Sequence, residues 1–279
     1  MRHQKLIYDV GMHKGEDTRY YLGKGFRVVA FEANPLLVSE CHARFASEVR
    51  SGRLSIVEGA IVPAAYRDDN ITFFMNERKS VFGTIDPEFA QRNLKLGVHC
   101  HEVTVPAIRF AKCLERYGVP YYLKIDIEGA DLECVAALRE LADRPAYLSL
   151  ESSKRSLDDV ATQLTLLSDL GYDQFAAVQQ MRWLWHTDTL ERYDGSRERF
   201  RFRFGSSGPF GKELGVAWKT KAEVLEQYRR IFRNYRRWGD DTIWQTNIAF
   251  KAFTRAFHLA TGIALPGWHD THARHSTAS

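Results

Sequence analysis

The sequence predicts a doubly wound α/β fold, a mainly parallel sheet of about seven strands flanked by helices, with a C-terminal cap of helix and loop. Three observations predict it. Strand and helix signals alternate through the first two-thirds of the chain. A glycine-bearing turn, Asp9 to Gly15, follows directly on the first apolar run, Leu6 to Val10. A second charged, glycine-bearing segment, Lys124 to Asp131, closes the strongly apolar run Tyr121 to Ile127.

The elements follow in order. After the strand Leu6 to Val10, Glu16 to Leu22 reads as a helix closed by Gly23 and Gly25. Arg27 to Glu32 (RVVAFE) is a second strand. Asn34 and Pro35 make a helix start, an N-cap followed by proline at the first helical position. Val38, Cys41, Phe45 and Val49 continue at helical spacing as far as Gly52. Leu54 to Glu58 is a third strand, and Ile71 to Met75 an added one with His101 to Pro106 as its partner. The helix Ile108 to Tyr117 leads into the strand Tyr121 to Ile127. Leu132, Val135 and Leu138 mark a helix that Pro145 stops, and Tyr147 to Leu150 is the next strand. Ser156 with Asp159 resembles a capping box, and Leu157, Val160, Leu164 and Leu167 line one helical face up to Gly171. Tyr172 to Val178 and Arg182 to Thr187 are expected to close the sheet as an antiparallel pair.

The character changes near residue 188, so residues 1–187 are expected to form the sheet domain and 188–279 a cap packed on it. An arginine-rich stretch leads into GSSGPFGKELG, a loop by its glycine and proline content. Thr220 and Glu223 form a capping box for a helix to about Trp238, and a further helix is expected over Thr242 to Thr261.

With 279 residues and 44% apolar side chains, the chain can bury a core without disulfides or metal. Cys41, Cys100, Cys113 and Cys134 are scattered, without a C-x-x-C pair, as in reduced core cysteines. No apolar run approaches the roughly 18 residues that span a bilayer. The opening MRHQKLIYDVG lacks the apolar stretch of a signal peptide. The cytoplasm is therefore the expected compartment, with no membrane partner. Basic residues crowd Arg197 to Arg203 and Arg229 to Arg237, as solvated faces or as a patch for an acidic partner. No RNA-binding module accompanies them, which argues against nucleic acid.

Two segments carry the chemistry. In Asp9-Val-Gly11-Met-His13-Lys-Gly15, glycines let the backbone turn sharply and approach a ligand. Glu32 ends the neighbouring strand, where a carboxylate can accept both hydroxyl hydrogens of a ribose. An acid about 20 residues after a glycine loop also fits NAD. The spacing here is G-x-x-x-G, however, without the G-x-G-x-x-G suited to pyrophosphate. The preceding Asp9 would repel phosphate and suit an ammonium group, which favours S-adenosylmethionine. Asp9, Gly11, His13, Gly15, Glu32 and Asp126 are the candidate cofactor residues. In Lys124-Ile-Asp126-Ile-Glu128-Gly129-Ala-Asp131, the charges stand at a strand's carboxyl end, facing the ligand crevice or pairing for structure.

Taken together, Asp9 to Gly15, FEANP (Phe31 to Pro35) and KIDIEGAD (Lys124 to Asp131) resemble the FkbM-type methyltransferases, over roughly residues 5–150. That family carries a D-V-G-A-N-x-G loop, an E-x-(N/D)-P turn and a K-I-D-(I/V)-E-G strand end in this order. The chain departs from it at Met12 and His13, where Ala-Asn is usual. The resemblance implies a Rossmann-like, S-adenosylmethionine-dependent enzyme, usually an O-methyltransferase of a sugar or natural product. It implies cofactor contacts from Asp9, Gly11, Gly15 and Glu32, and an active crevice lined by Asp126 and Glu128.

Methyl transfer from a sulfonium is an in-line displacement that needs alignment, exclusion of water and a base for a hydroxyl acceptor. Asp126 is the first candidate base and Glu128 the second, with His13 or His101 as alternatives. His269, His272 and His275 stand three apart near the end and read as solvated tail residues, so no metal site is expected. The chain begins almost directly at the first strand, with no N-terminal segment expected to cover the site, so Ser206 to Phe210, among Gly205, Gly208 and Gly211, is the expected lid beside the acceptor. The expected partner is a small-molecule hydroxyl acceptor. A methyltransferase of RNA or another polyanion and a nicotinamide-dependent oxidoreductase are the competing classes.

Overall fold

The computed structural model describes residues 2–76, 83–87, 90–91, 100–127, 129–153, 156–184, 186–191, 195–203, 205–238, 248–261 and 269–278. The chain divides into two compact units, Met1–Leu148 with Leu190–Glu198, and Ser149–Thr189 with Arg199–Ser279.

In the first unit, β1 (Arg2–Val10), β2 (Arg27–Glu32), β3 (Leu54–Glu58) and β7 (Val119–Ile125) run parallel, with β1 paired to both β2 and β7. The register sets Asp9 opposite Ala30 on one side and Lys124 on the other. β1 starts four residues before the apolar run because its polar head also pairs with β7, Arg2 opposite Val119. α1 (Glu16–Gly23) follows β1. Asn34 caps α2 (Pro35–Arg44), its side chain accepting the Leu36 N–H at 3.0 Å. The predicted long helix breaks at Phe45, which leaves α3 (Ala46–Arg50) as a separate turn. Tyr8, Phe31 and Phe110 pack ring against ring between β1, β2 and α4 (Phe110–Tyr117).

β5 (Asn70–Met75) and β6 (His101–Ile108) pair antiparallel as expected, and β4 (Ala60–Ile61) adds to β6 in parallel. Phe73, Met75, Val105 and Ala60 form the core of this small sheet. α5 (Asp131–Ala136) is only six residues long, shorter than its apolar spacing predicts.

β8 (Tyr147–Glu151) lies at the division between the units, and the large sheet, completed by β9 (Tyr172–Gln179) and β12 (His269–His275), has the order β3-β2-β1-β7-β8-β12-β9. In the second unit Ser156 caps α6 (Leu157–Asp169), and β9 (Tyr172–Gln179) follows. The partner of β9 is not Arg182 to Thr187. Gln180–Trp183 form a 3-10 turn, and β10 (Thr187–Glu191) pairs with β11 (Arg197–Arg201) as a separate ribbon. β12 (His269–His275) pairs with β9 instead, antiparallel, His269 opposite Gln179 and His272 opposite Ala176. HDTHARH carries no apolar alternation, so its sequence gives no strand signal.

The loop at Ser206 to Phe210 is buried rather than open. Gly208 sits against the Trp183 ring, where any side chain would collide with it. The capping box at Thr220 forms: its N–H donates to Glu223 Oε2 at 2.9 Å, and the Glu223 N–H points back to Thr220 Oγ1 at 3.4 Å. It opens α7 (Lys221–Trp238). The next helix is α8 (Ile248–Thr261), and the expected start at Thr242 lies outside the described residues. Among the described residues, no helix is long and apolar enough to cross a membrane, and no cluster of side chains could hold a metal ion.

His272 is not a solvated tail residue. It is buried in β12, and its Nε2 has no hydrogen-bond partner among the described residues. Burial pulls its pKa down to about 3, so the folded protein keeps it neutral. The unfolded chain takes up a proton below about 6.5, the ordinary histidine value. Stability from the neutral ring is therefore present above that pH and lost as pH falls toward 3. In urea titrations between these limits, wild type should lose stability about 1.4 kcal/mol per pH unit more steeply than His272→Asn. Parallel profiles would mean that His272 titrates freely in the folded state.

Candidate functional site

The site grows from the turn after β1. The Gly11 and Met12 N–H groups both donate to the Phe31 carbonyl, at 3.0 and 2.9 Å, and tie the turn to β2. Gly11 has φ +84°, and a side chain there would run into the Asp126 carbonyl. The Asp126 N–H in turn donates to the Val10 carbonyl at 2.9 Å. The exits of β1 and β7 thus touch backbone to backbone, and only glycine fits between them. His13 adopts φ +50°, uncommon for a residue with a side chain. Its N–H donates to Glu32 Oε2 at 2.9 Å, and its Nδ1 lies 3.4 Å from Glu16 Oε1. The Lys14 N–H reaches Glu16 Oε2 at 3.1 Å, and the Gly15 N–H reaches the Met12 carbonyl at 2.8 Å. Gly15, also at positive φ, packs so closely on the Phe45 ring that a side chain would collide with it. All five amides from Gly11 to Gly15 are therefore committed within the protein.

Glu32 ends β2 half-buried. One carboxylate oxygen accepts from His13 N–H and the other from Asn34 N–H, each at 2.9 Å. Each oxygen keeps a lone pair for a ligand. Burial raises the Glu32 pKa above the usual carboxylate range, against the pull of these two amides.

Lys124, one residue before the end of β7, is 4% exposed. Its ammonium donates to the Gly11 carbonyl at 2.9 Å. It lies 3.2 Å from Asp9 Oδ1, 3.6 Å from Asp126 Oδ2 and 3.8 Å from Asp17 Oδ2. Burial works against its charge, but the carboxylates of Asp9, Asp126 and Asp17 outweigh it and hold its pKa well above the usual lysine range. Lys124 is therefore a fixed cation and not a base. Asp9 is fully buried, with its other oxygen accepting the Thr18 hydroxyl at 2.6 Å. Its carboxylate is turned into the protein, toward Lys124 and α1. The Asp126 side chain is about one-third exposed.

The turn, Glu32 and Asp126 thus gather at the carboxyl ends of β1, β2 and β7, where α/β sheets bind ligands. Glu128 lies outside the described residues. His101 opens β6, exposed on the small sheet. Sequence reasoning allowed Lys124 and Asp126 to pair for structure, as they do at 3.6 Å, but missed Asp17 and Thr18. The available signal was their place in the first turn of α1, beside the glycine loop.

The charges decide what the site can hold. Three carboxylates surround one ammonium, so the cluster keeps a negative balance, and Glu32 adds to it. Donors for a pyrophosphate are missing from the turn itself, because its amides are spent. Carboxylate oxygens suit hydroxyl and cationic groups.

The family described as "Methyltransferase FkbM domain" matches residues 9–174, more than half of the chain. No curated protein matches. Among solved structures, the precorrin-6Y C5,15-methyltransferase of Geobacter metallireducens is 16% identical, over 72% of this chain and 76% of that one, with a TM-score of 0.36. A putative sarcosine dimethylglycine methyltransferase of Galdieria sulphuraria is 10% identical, over 98% and 78%, with a TM-score of 0.39. A SAM-dependent methyltransferase of Geobacter sulfurreducens, in complex with S-adenosyl-L-homocysteine, is 9% identical, over 98% and 84%, with a TM-score of 0.35. At such scores the family match carries the assignment.

The buried cluster makes one demand on stability. Lys124→Met leaves Asp9 and Asp17 buried without their cation, and removing one partner of such a cluster typically costs about 3–5 kcal/mol. Urea unfolding should show a loss of that order. A loss below about 1 kcal/mol would mean that the two carboxylates do not depend on Lys124.

Proposed function

The chain belongs to the FkbM methyltransferase family, and we propose that this S-adenosylmethionine-dependent methyltransferase acts on a hydroxyl of an uncharged small molecule, a sugar or natural product. The observation that carries the acceptor class is the charge of the strand ends. Asp9, Asp17 and Asp126 outnumber their single cation, and Glu32 stands beside the same turn. A polyanion such as RNA would meet repulsion there, whereas an uncharged hydroxyl compound would not.

The residues present fit the cofactor. Glu32 has one lone pair left on each oxygen, the arrangement that two ribose hydroxyls need. The turn from Gly11 to Gly15 passes close to β7 without a side chain at 11 or 15, and its committed amides leave nothing to favour a phosphate over a cationic group. Bound S-adenosylmethionine supplies a methyl group already activated by its sulfonium. The protein's part is to position, to exclude water and to handle one proton.

Asp126 is the proposed group for that proton. It follows β7, its carboxylate is partly exposed, and the Lys124 ammonium lies 3.6 Å away. An ionised carboxylate can accept the hydrogen of an acceptor hydroxyl as the oxygen forms its new bond to carbon. Lys124 orients it from behind while holding the Gly11 carbonyl.

Two measurements test this reading. Glu32→Ala should weaken S-adenosylhomocysteine binding by about 1.5–3 kcal/mol in calorimetry, the range for a hydrogen bond to a charged group. Unchanged affinity in a folded variant would take Glu32 out of the site. Because burial raises the Glu32 pKa, wild-type affinity should also begin to fall with acid at a higher pH than an ordinary carboxylate would cause. Asp126→Asn should keep cofactor affinity and slow methyl transfer by about 10²-fold or more, measured on any hydroxyl acceptor that wild type uses from a panel of sugars and polyketides. Near-normal turnover would make Asp126 structural.

A further inference from the structure

The small sheet reaches the same strand ends at which the candidate site is built. It starts where β3 stops, since only Gly59 separates Glu58 from Ala60, the first residue of β4. The Gly59 N–H donates to the Glu32 carbonyl at 2.9 Å, which ties this start to the end of β2. Ala33, the residue after Glu32, packs on the core of the small sheet, and so does Ile85. At the other edge, Phe74 of β5 exchanges two backbone hydrogen bonds with Thr84, at 2.8 and 3.2 Å. Thr84 and Asp86 then meet the loop that leaves β7. A side chain at Gly129, in the turn that follows Asp126, would lie in ordinary contact with Asp86 Cβ at 3.8 Å and Thr84 Oγ1 at 4.0 Å. The small sheet and its added segment thus touch the ends of β3, β2 and β7, all within the first unit.

The turn, Glu32 and Asp126 are given to cofactor and proton, so nothing yet holds the rest of the acceptor. The segment Gly83 to Asp86 is built to do so. Gly83 lies against the Phe73 ring with no room for a side chain. Thr84 is buried, and its hydroxyl accepts the Asp86 N–H at 3.0 Å. Ile85 points into the apolar core. Asp86 is the half-buried carboxylate of the segment, on the Gly129 side. It also precedes Pro87, where a helical turn begins, and its carbonyl accepts the Ala90 N–H at 3.0 Å. A helix cap is therefore its alternative duty.

We propose that Asp86 is an acceptor-binding residue, and that it accepts a hydrogen from a hydroxyl adjacent to the one that Asp126 serves. A carboxylate only accepts, so a second one beside the reacting hydroxyl calls for a second hydroxyl. The acceptor is then a vicinal diol. The reacting hydroxyl rests on the function proposed above, whereas the placement of Asp86 rests on the contacts of the small sheet.

Two pairs of probes test this, cis-1,2-cyclohexanediol with cyclohexanol and catechol with phenol, titrated into the full chain saturated with S-adenosylhomocysteine. In at least one pair the diol should bind about tenfold or more tightly than its single-hydroxyl partner, the worth of a hydrogen bond to a charged group. Asp86→Asn caps a helix as well as aspartate does, but removes the charge and one accepting oxygen. It should abolish the diol preference and leave S-adenosylhomocysteine affinity and the urea midpoint unchanged. For a diol that wild type methylates, it should raise KM by about tenfold and more than it lowers kcat. If Asp86→Asn proves unstable, Asp86→Ser, also a good cap, carries the same expectation. Absence of a diol preference in both pairs, or a preference that survives the substitution, overturns the proposal. Methylation of an alcohol with KM unchanged in Asp86→Asn overturns it too, and leaves the methyltransferase reading standing. Failure of wild type to bind S-adenosylhomocysteine would instead strike that reading, with the diol preference scored on the chain alone.

Discussion

The ammonium of Lys124 is the constraint on which the first unit depends. A charged group 4% exposed is costly unless its partners are in place, and here the partners come from separate parts of the chain. Asp9 belongs to β1, Asp17 to α1, Asp126 to the exit of β7, and the Gly11 carbonyl to the turn between β1 and α1. Satisfying the lysine therefore fixes the two strand ends, the first turn of the helix and the loop relative to one another. The glycine at 11 follows from the same demand, because drawing the loop onto β7 leaves no room beside the Asp126 carbonyl. A lysine in an apolar strand looks like a defect in the sequence. In the structure it is what holds the ligand-facing edge of the sheet in shape.

That arrangement also sets the sign of the field. One ammonium faces three carboxylates, and Glu32 lies across the turn. The backbone adds to this. Loops that cradle phosphates present free N–H groups, whereas the amides from Gly11 to Gly15 are turned to Phe31, Glu32, Glu16 and Met12. The same protein atoms that make the loop rigid make it unsuited to an anion. Rigidity and charge preference have one cause, which sets this G-x-x-x-G turn apart from the phosphate-binding loops of dinucleotide folds.

Much of this was legible because it is local. Asn34 and Pro35 announce a helix start by their own conformational preferences, and the Asn34 side chain accepts the Leu36 N–H as that reading requires. The run RVVAFE is too short and too apolar to be anything but a strand, and it is one. The pairing of Asn70–Met75 with His101–Ile108 was readable from two neighbouring extended runs. What could not be read depends on contacts distant in sequence. The spacing places Asp9 at a strand end, but its orientation toward Thr18 and Lys124 is decided by the register of β1 with β7. Phe45 breaks a helix whose periodicity continues straight through it, and its ring closes over Gly15. His272 looks like tail composition because nothing near it in sequence predicts that β9 will pair with residues almost a hundred positions away.

The late-arriving strand also ties the matched region to the chain that follows it. The family match ends at residue 174, and it includes the turn, Glu32, Lys124 and Asp126. β12 and α7, which supply Thr271 and Tyr228, lie beyond it. The last strand is inserted between β8 and β9. It sets Thr271 within hydrogen-bond reach of Ser152 and Tyr228, so three buried hydroxyls, one inside the matched region and two outside it, contact one another. Lys124 and the three carboxylates around it, by contrast, all belong to the first unit.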